Sequence, residues 1–314
     1  MYTLTSEKIF GKDKLKLSNP ASGEYLSIIP SLGGNLHELV LLKNGTLHSI
    51  IDGDINEDGV AGKITNHYKG SKLSPFPNRI ANGEYDFNGL TYKLELNSPP
   101  NAIHGLCWKM PFTLKSELMQ ADSASVVLEA EYKARHTGYP FSYRIEMEYI
   151  LTENDLKCIT RVTNTSIYIF PIGDGWHPYF TTGSKVDTLQ LQLPEHKHME
   201  LDKLLPTGKY LSDKLFTTLT PIKDSKLDDC FELNETDQIV ETRLVDKQKN
   251  ISIVVWQQTG EPGYNFIQVY TPADRNSIAI EPMSCAPDGF NNRKGLVILS
   301  PKQTVEFCFG VNLE

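Results

Sequence analysis

The sequence predicts an all-β fold, an antiparallel sandwich or barrel, on three observations. Residues 141 to 151 alternate: Phe141, Tyr143, Ile145, Met147, Tyr149 and Leu151 lie on one face, and Ser142, Arg144, Glu146 and Glu148 on the other. That period of two is the pattern of a half-buried strand. The dipeptides Asn44-Gly45, Asn82-Gly83 and Asn88-Gly89 suit the positive φ of tight hairpin turns. No long segment carries a 3.6-residue stripe and strands do not alternate with helices, which argues against a parallel nucleotide-binding sheet. Neither a G-x-G-x-x-G run nor a phosphate loop is present.

Taken in order, Asn88-Gly89 joins Glu84–Phe87 to Leu90–Leu94 as a hairpin. The alternation recurs in Leu90-Tyr92-Leu94-Leu96, Val126-Leu128-Ala130-Tyr132, Leu189-Leu191-Leu193, Ile251-Ile253-Val255 and Val305-Phe307-Phe309-Val311. Short strands with turn signals at this spacing read as a sandwich or barrel. Residues 52 to 74 and 194 to 228 are the least strand-like and are expected to form long loops, where a β scaffold often builds its site. No linker or fixed repeat divides the chain, so residues 1–314 read as one domain.

The 314 residues carry a formal charge of −8 without a block of lysine or arginine. That balance argues against nucleic acid and anionic membranes as partners and favours a small neutral molecule. Five scattered cysteines, an odd number without C-x-x-C spacing, imply reduced, buried thiols rather than a disulfide framework or a zinc site. No apolar run approaches the roughly 18 residues a membrane helix needs. The first residues lack the basic and apolar regions of a signal peptide, so a cytoplasmic location is expected.

The stretch Gly173-Asp174-Gly175-Trp176-His177-Pro178-Tyr179-Phe180 is the centre of the functional reading. The apolar run Ile167 to Ile172 precedes it, so His177 is expected at the end of a rigid strand. Pro178 removes a backbone donor and biases His177 toward extended geometry. Alone, His177 reads as a core histidine beside Trp176. Two further residues favour an acid/base constellation. One is His104, before Gly105 in the loop after Pro99-Pro100-Asn101; its plain alternative is a surface turn histidine. The other is Glu281, in the apolar segment Ser277-Ile278-Ala279-Ile280-Glu281-Pro282. A carboxylate there is costly unless paired or turned to a cavity, and desolvation would raise its pKa toward the range useful to a base.

Two more clusters supply binding groups. Arg79, in Pro77-Asn78-Arg79-Ile80, offers a fork of donors suited to hydroxyls or a carboxylate; a salt bridge to a neighbouring strand is an equal alternative. In Leu227-Asp228-Asp229-Cys230-Phe231, only one of two adjacent carboxylates can face inward from a strand. A solvated acidic loop is the alternative there.

The order Asn78-Arg79-Ile80, His104-Gly105, Gly138-Tyr139-Pro140, His177-Pro178-Tyr179-Phe180, Leu205-Pro206-Thr207-Gly208, Leu227-Asp228 and Glu281-Pro282-Met283 resembles the aldose 1-epimerases, the galactose mutarotase family. The likeness runs from about Gly23 to Phe309. It implies a single-domain β-supersandwich, a sugar bound in an open cleft, and no cofactor or metal. By motif, Glu281 matches the family's general base, His177 its general acid and His104 its second active-site histidine. Arg79, beside Asn78, matches the sugar-binding arginine, and Asp228 the aspartate that holds ring hydroxyls. Better-known members place asparagine before the acid histidine and continue Tyr-Phe-Asn-Leu, whereas Trp176 precedes it here and Thr181-Thr182 follow. The related hexose-6-phosphate epimerases have a tryptophan-rich stretch where this chain has Ser74 to Ile80. No basic cluster awaits a phosphate, so a free aldose such as galactose or glucose is the expected partner of a monomer or weak dimer.

Two rivals from other classes remain at this level, and a third reading keeps the family but changes the substrate to a sugar phosphate or another aldose. A non-catalytic carbohydrate-binding domain would keep the cleft without needing both histidines and Glu281. A metal-dependent enzyme would use His104, His177 and Glu281 as ligands, although they lack local ligand spacing. His196 and His198 have closer spacing but fall in a charged stretch expected to be a loop.

Overall fold

The computed structural model describes residues 1–53, 67–233 and 238–314. Among the described residues the strands form three large antiparallel sheets and several two-stranded pieces. The nine-stranded sheet runs in the order Thr113–Met119, Ser123–Tyr132, Tyr143–Thr152, Asp155–Asn164, Thr304–Leu313, Ile251–Gln258, Ile239–Asp246, Gln190–Gln192 and Thr220–Pro221. Its central strands show why they form. In Tyr143–Thr152 the residues Tyr143, Ile145, Met147, Tyr149 and Leu151 are buried, and those between them are half-buried.

The six-stranded sheet is ordered Tyr179–Phe180, Ile278–Met283, Phe266–Tyr270, Asp228–Leu233, His196–Asp202 and Leu205–Tyr210. The five-stranded sheet covers Thr3–Ile9 to Thr46–Ser49 in chain order. One contiguous apolar core draws on all three, with Leu26 and Leu39, Val126 and Ile145, and Phe231 and Ile280 among its members. Burying side chains of this size contributes roughly 1.5–3 kcal/mol each. All five cysteines are buried and unpaired with one another, and among the described residues no helix is long and apolar enough to cross a membrane.

Two turns form where the Asn-Gly dipeptides place them. Asn44 and Gly45 take φ 52° and 74° between Asn35–Lys43 and Thr46–Ser49. Asn88 and Gly89 take 51° and 76° between Glu84–Phe87 and Leu90–Lys93. Asn82 and Gly83 are also at positive φ, but inside a short 3-10 turn, Ala81–Gly83, rather than at a hairpin.

Other expectations are corrected. Residues 194 to 228 are not a long loop: they contain His196–Asp202, Leu205–Tyr210 and Thr220–Pro221, and so His196 and His198 lie on a strand. Within 52 to 74, Ser71–Lys72 is a strand and residues 54–66 lie outside the described residues. The apolar run before His177 is not one strand. Ile167 is 81% exposed, and the strand starts only at Phe170, because Asn164 and Ser166 bind the Tyr168 carbonyl in a turn.

Candidate active site

The six-stranded sheet and the loops around it enclose a cleft of about 260 Å³. All six residues singled out from the sequence line it: Asn78, Arg79, His104, His177, Asp228 and Glu281. They come from five separated places in the chain, yet the fold brings them together. Glu281 lies opposite Gln268 in the register of Ile278–Met283 with Phe266–Tyr270. Asp228 lies opposite Tyr270 one strand further along.

His177 sits on a strand of two residues, Trp176–His177, paired with Ser71–Lys72. Alternation sends Trp176 into the core and His177 into the cleft. Two residues on, the Tyr179 ring is therefore on the same side, and it stacks on the imidazole at 4.9 Å and 8°. His177 Nε2 lies 3.3 Å from Glu281 Oε1, and Glu281 Oε2 has no hydrogen-bond partner. His177 is 5% exposed and Glu281 1%. Burial pulls the His177 pKa down to about 3. Burial, with Asp228 adding to it and Arg79 opposing it, holds the Glu281 carboxyl well above the usual carboxylate range. Both groups are thus driven toward their neutral forms.

His104 is not a surface turn residue, being 5% exposed. Its backbone takes φ 61°, and Gly105 follows at φ 65° where a Cβ would meet the Ser74 carbonyl oxygen at 2.4 Å. Only glycine allows that approach. A reciprocal pair fixes the ring: His104 N donates to the Asn78 carbonyl at 2.9 Å, and Asn78 N donates to His104 Nδ1 at 3.2 Å. Since Nδ1 accepts, the neutral ring carries its proton on Nε2 and is a donor there. Burial first, then the charges of His177 and Arg79, hold its pKa well below the histidine range. The Tyr68 ring packs edge-on against it at 4.5 Å.

The polar wall is a chain of hydrogen bonds. Asn78 Nδ2 donates to Gln268 Oε1 at 3.2 Å, and Gln268 Nε2 donates to Asp228 Oδ1 at 2.7 Å. Arg79 Nη1 donates to Asn78 Oδ1 at 3.3 Å, and no carboxylate among the described residues lies within ion-pair distance of it. Asp229, the second of the adjacent carboxylates, turns away to His198. Among the described residues no three His, Cys, Asp or Glu side chains are grouped to hold a metal ion.

Among the cleft residues that escaped the sequence reading are Gln268, Tyr179, Tyr68 and Asn97. Gln268 is a polar residue inside Phe266-Ile267-Gln268-Val269-Tyr270, the same signal that exposed Glu281. Tyr179 stands within the quoted histidine motif but received no role. Tyr68 and Asn97, whose side-chain amide donates to the Tyr68 hydroxyl, sit in segments without periodicity and left no signal.

This geometry sets a buried carboxyl and a buried imidazole against the side chains of Arg79, Asn78, Gln268 and Asp228, groups that can move protons and hold polar atoms. Over 302 residues the chain is 29% identical to the uncharacterized protein YihR of Escherichia coli K12, covering 93% of this chain and 91% of that one. It is 27% identical to a maltose epimerase of Levilactobacillus brevis over 261 residues, 79% of this chain and 73% of that one. Among solved structures, a galactose mutarotase-like protein of Clostridium acetobutylicum superposes with a TM-score of 0.86 at 20% identity, covering 100% of this chain and 98% of that one. The galactose 1-epimerase of Lactobacillus acidophilus gives 0.81 at 17%, with the same coverage. Both share its fold, a galactose mutarotase-like β-supersandwich. The family model for aldose 1-epimerase matches residues 13–309, and the chain belongs to the aldose 1-epimerase family.

Proposed function

We propose that this protein is a mutarotase that interconverts the α and β anomers of a free aldose, a hexose such as galactose or glucose. The observation that carries the reading is the His177–Glu281 pair, 3.3 Å apart and buried at the floor of a cleft with polar walls. Anomerisation opens the ring at C1: the O1–H proton leaves, the C1–O5 bond breaks, and O5 gains a proton. Rotation about C1–C2 and re-closure reverse those transfers. One base and one acid suffice, each supplying about 10²–10⁴-fold.

Glu281 is assigned as the base toward O1 and His177 as the acid toward O5. Burial favours the neutral arrangement of the pair. A bound sugar brings hydroxyls that solvate the carboxylate–imidazolium form, and Arg79 already favours the Glu281 carboxylate. Binding and activation of the acid are thereby coupled. His104, a neutral Nε2 donor, supports the charge near O5. Arg79, Asn78 and Asp228, with Gln268 between them, hold the ring hydroxyls and reduce the entropy cost of alignment. The chain acts as one domain, as a monomer or weak dimer in the cytoplasm.

Polarimetry of freshly dissolved α-D-glucose, α-D-galactose and maltose, with and without protein, tests this. Faster approach to anomeric equilibrium is expected for at least one of them. Tight sugar binding with no acceleration would make the protein a binding domain, and acceleration confined to a sugar phosphate would overturn the free-aldose assignment.

A further inference from the structure

Beneath the candidate acid lies a second charged cluster that the proposed chemistry does not use. Lys72 and Asp174 are both 0% exposed, and Lys72 Nζ donates to Asp174 Oδ2. The same oxygen accepts from the Tyr264 hydroxyl at 2.7 Å. The Lys72 ammonium stands 4.6 Å from the centroid of the Trp176 ring, a cation–π distance.

The position of this cluster is informative. In the two-residue strand pair, Lys72 lies opposite Trp176 and Ser71 opposite His177. Directly opposed residues share a face, so Lys72 and Trp176 point into the core while His177 points into the cleft. So short a ladder has few bonds of its own: Gly70 N to the His177 carbonyl at 2.9 Å and Leu73 N to the Gly175 carbonyl at 2.8 Å flank it. Asp174 also reaches the strand that carries Glu281. Its N–H donates to Ser284 Oγ at 2.8 Å, Ser284 N donates back to its carbonyl at 2.8 Å, and Gly175 bridges to Met283. Lys72 and Asp174 therefore tie together the Ser71–Lys72 strand, the segment entering His177, and the end of the Glu281 strand.

A buried ion pair is seldom more stabilising than apolar groups of the same volume. Stability is thus a poor reason for pairing a lysine with an aspartate in a core. We propose that Lys72 and Asp174 are positioning residues, whose directional pairing, braced by Tyr264, sets the orientation of His177 against Glu281. The proposal rests on the mutarotase reading for its kinetic arm.

Since Lys72→Met alone would strand a buried carboxylate, the informative variant is Lys72→Met/Asp174→Leu, which removes both charges at similar volume. Tyr264→Phe removes only the brace. The double variant is expected to unfold at a denaturant midpoint at or above that of the wild type, while kcat falls about 10- to 100-fold and KM stays within about twofold. The imidazole ¹⁵N signals of His177 in the sugar-free protein are expected to move. Tyr264→Phe should show a smaller loss in the same direction. Wild-type kcat in the folded double variant, with unmoved His177 signals, would overturn the proposal. If the double variant does not fold, Tyr264→Phe decides: unchanged kcat and unchanged signals overturn it. Absence of anomerisation by the wild type would sink the mutarotase reading instead, and the imidazole signals would still decide the positioning claim.

Discussion

Two of the histidines that lie against carboxylates, His177 and His198, have environments that drive their protons in opposite directions. His177 faces a single carboxyl, Glu281, inside the cleft, and burial pulls its pKa down to about 3. His198 lies between Asp213, at 3.0 Å from Nδ1, and Asp229, at 3.2 Å from Nε2. Burial works against its charge too, but the hydrogen bonds its ring donates to Asp229 and Asp213 outweigh it and raise its pKa. The difference lies in the carboxylates. Glu281 is sealed with the imidazole and is itself pushed toward neutrality, whereas Asp213 and Asp229 reach solvent, with side chains 46% and 29% exposed. A histidine beside a carboxylate becomes a salt bridge where water can solvate the partner, and a poised neutral pair where it cannot. Adjacent residues on one strand, Asp228 and Asp229, serve the two sites from opposite faces.

The comparison predicts the largest effect at Glu281. Glu281→Gln keeps the shape and removes the base, so kcat should fall by about 10³-fold or more with KM within a few-fold. His198→Asn should leave kcat within about twofold, and a kcat loss there comparable to that at Glu281 would erase the distinction between the sites. His177→Asn is expected to cost about 10²–10⁴-fold in kcat. At Arg79, substitution by Gln should raise KM most, with a smaller kcat loss because the guanidinium also favours the Glu281 carboxylate; a kcat loss with unchanged KM would remove it from sugar binding.

Stability effects are smaller and differ in sign. A carboxyl whose folded pKa is raised costs stability as pH rises above its unfolded value of about 4.3. Glu281→Gln should therefore raise stability at neutral pH, by about 0.5–2 kcal/mol, with the gain shrinking as pH falls toward 4. The raised His198 pKa has the opposite consequence. Its contribution is fully present below about pH 6.5 and is lost as pH rises through its folded value. His198→Asn should cost about 1 kcal/mol or less at pH 6, since the Asp213 side is solvent-screened, and less still at pH 9. Denaturant titrations at the two pH values measure both changes. A larger loss for His198→Asn at pH 9 than at pH 6 would contradict the assigned ion pairs.

Much of this was legible in the sequence, for identifiable reasons. Tyr143–Thr152 was readable because one face meets the core and the other is half-buried, which forces a period of two; Thr304–Leu313 alternates in burial only toward its ends, with residues 307–311 all buried. Glu281 was readable because an ionisable group in an apolar strand is expensive. The hairpin His196–Asp202 and Leu205–Tyr210 was not, because most of its residues are exposed or half-exposed and little alternation is needed there. Ile167 misled for the converse reason, being apolar on a solvent-facing turn. The Lys72–Asp174 pair left no signal, since nothing local distinguishes a buried lysine from a surface one.

The most direct test of the central claim is anomer exchange measured by NMR magnetisation transfer at equilibrium, with wild type, Glu281→Gln and His198→Asn compared at the same pH. The account predicts fast α–β exchange in the wild type and in His198→Asn, and only the uncatalysed rate in Glu281→Gln. Full exchange retained in Glu281→Gln would contradict it.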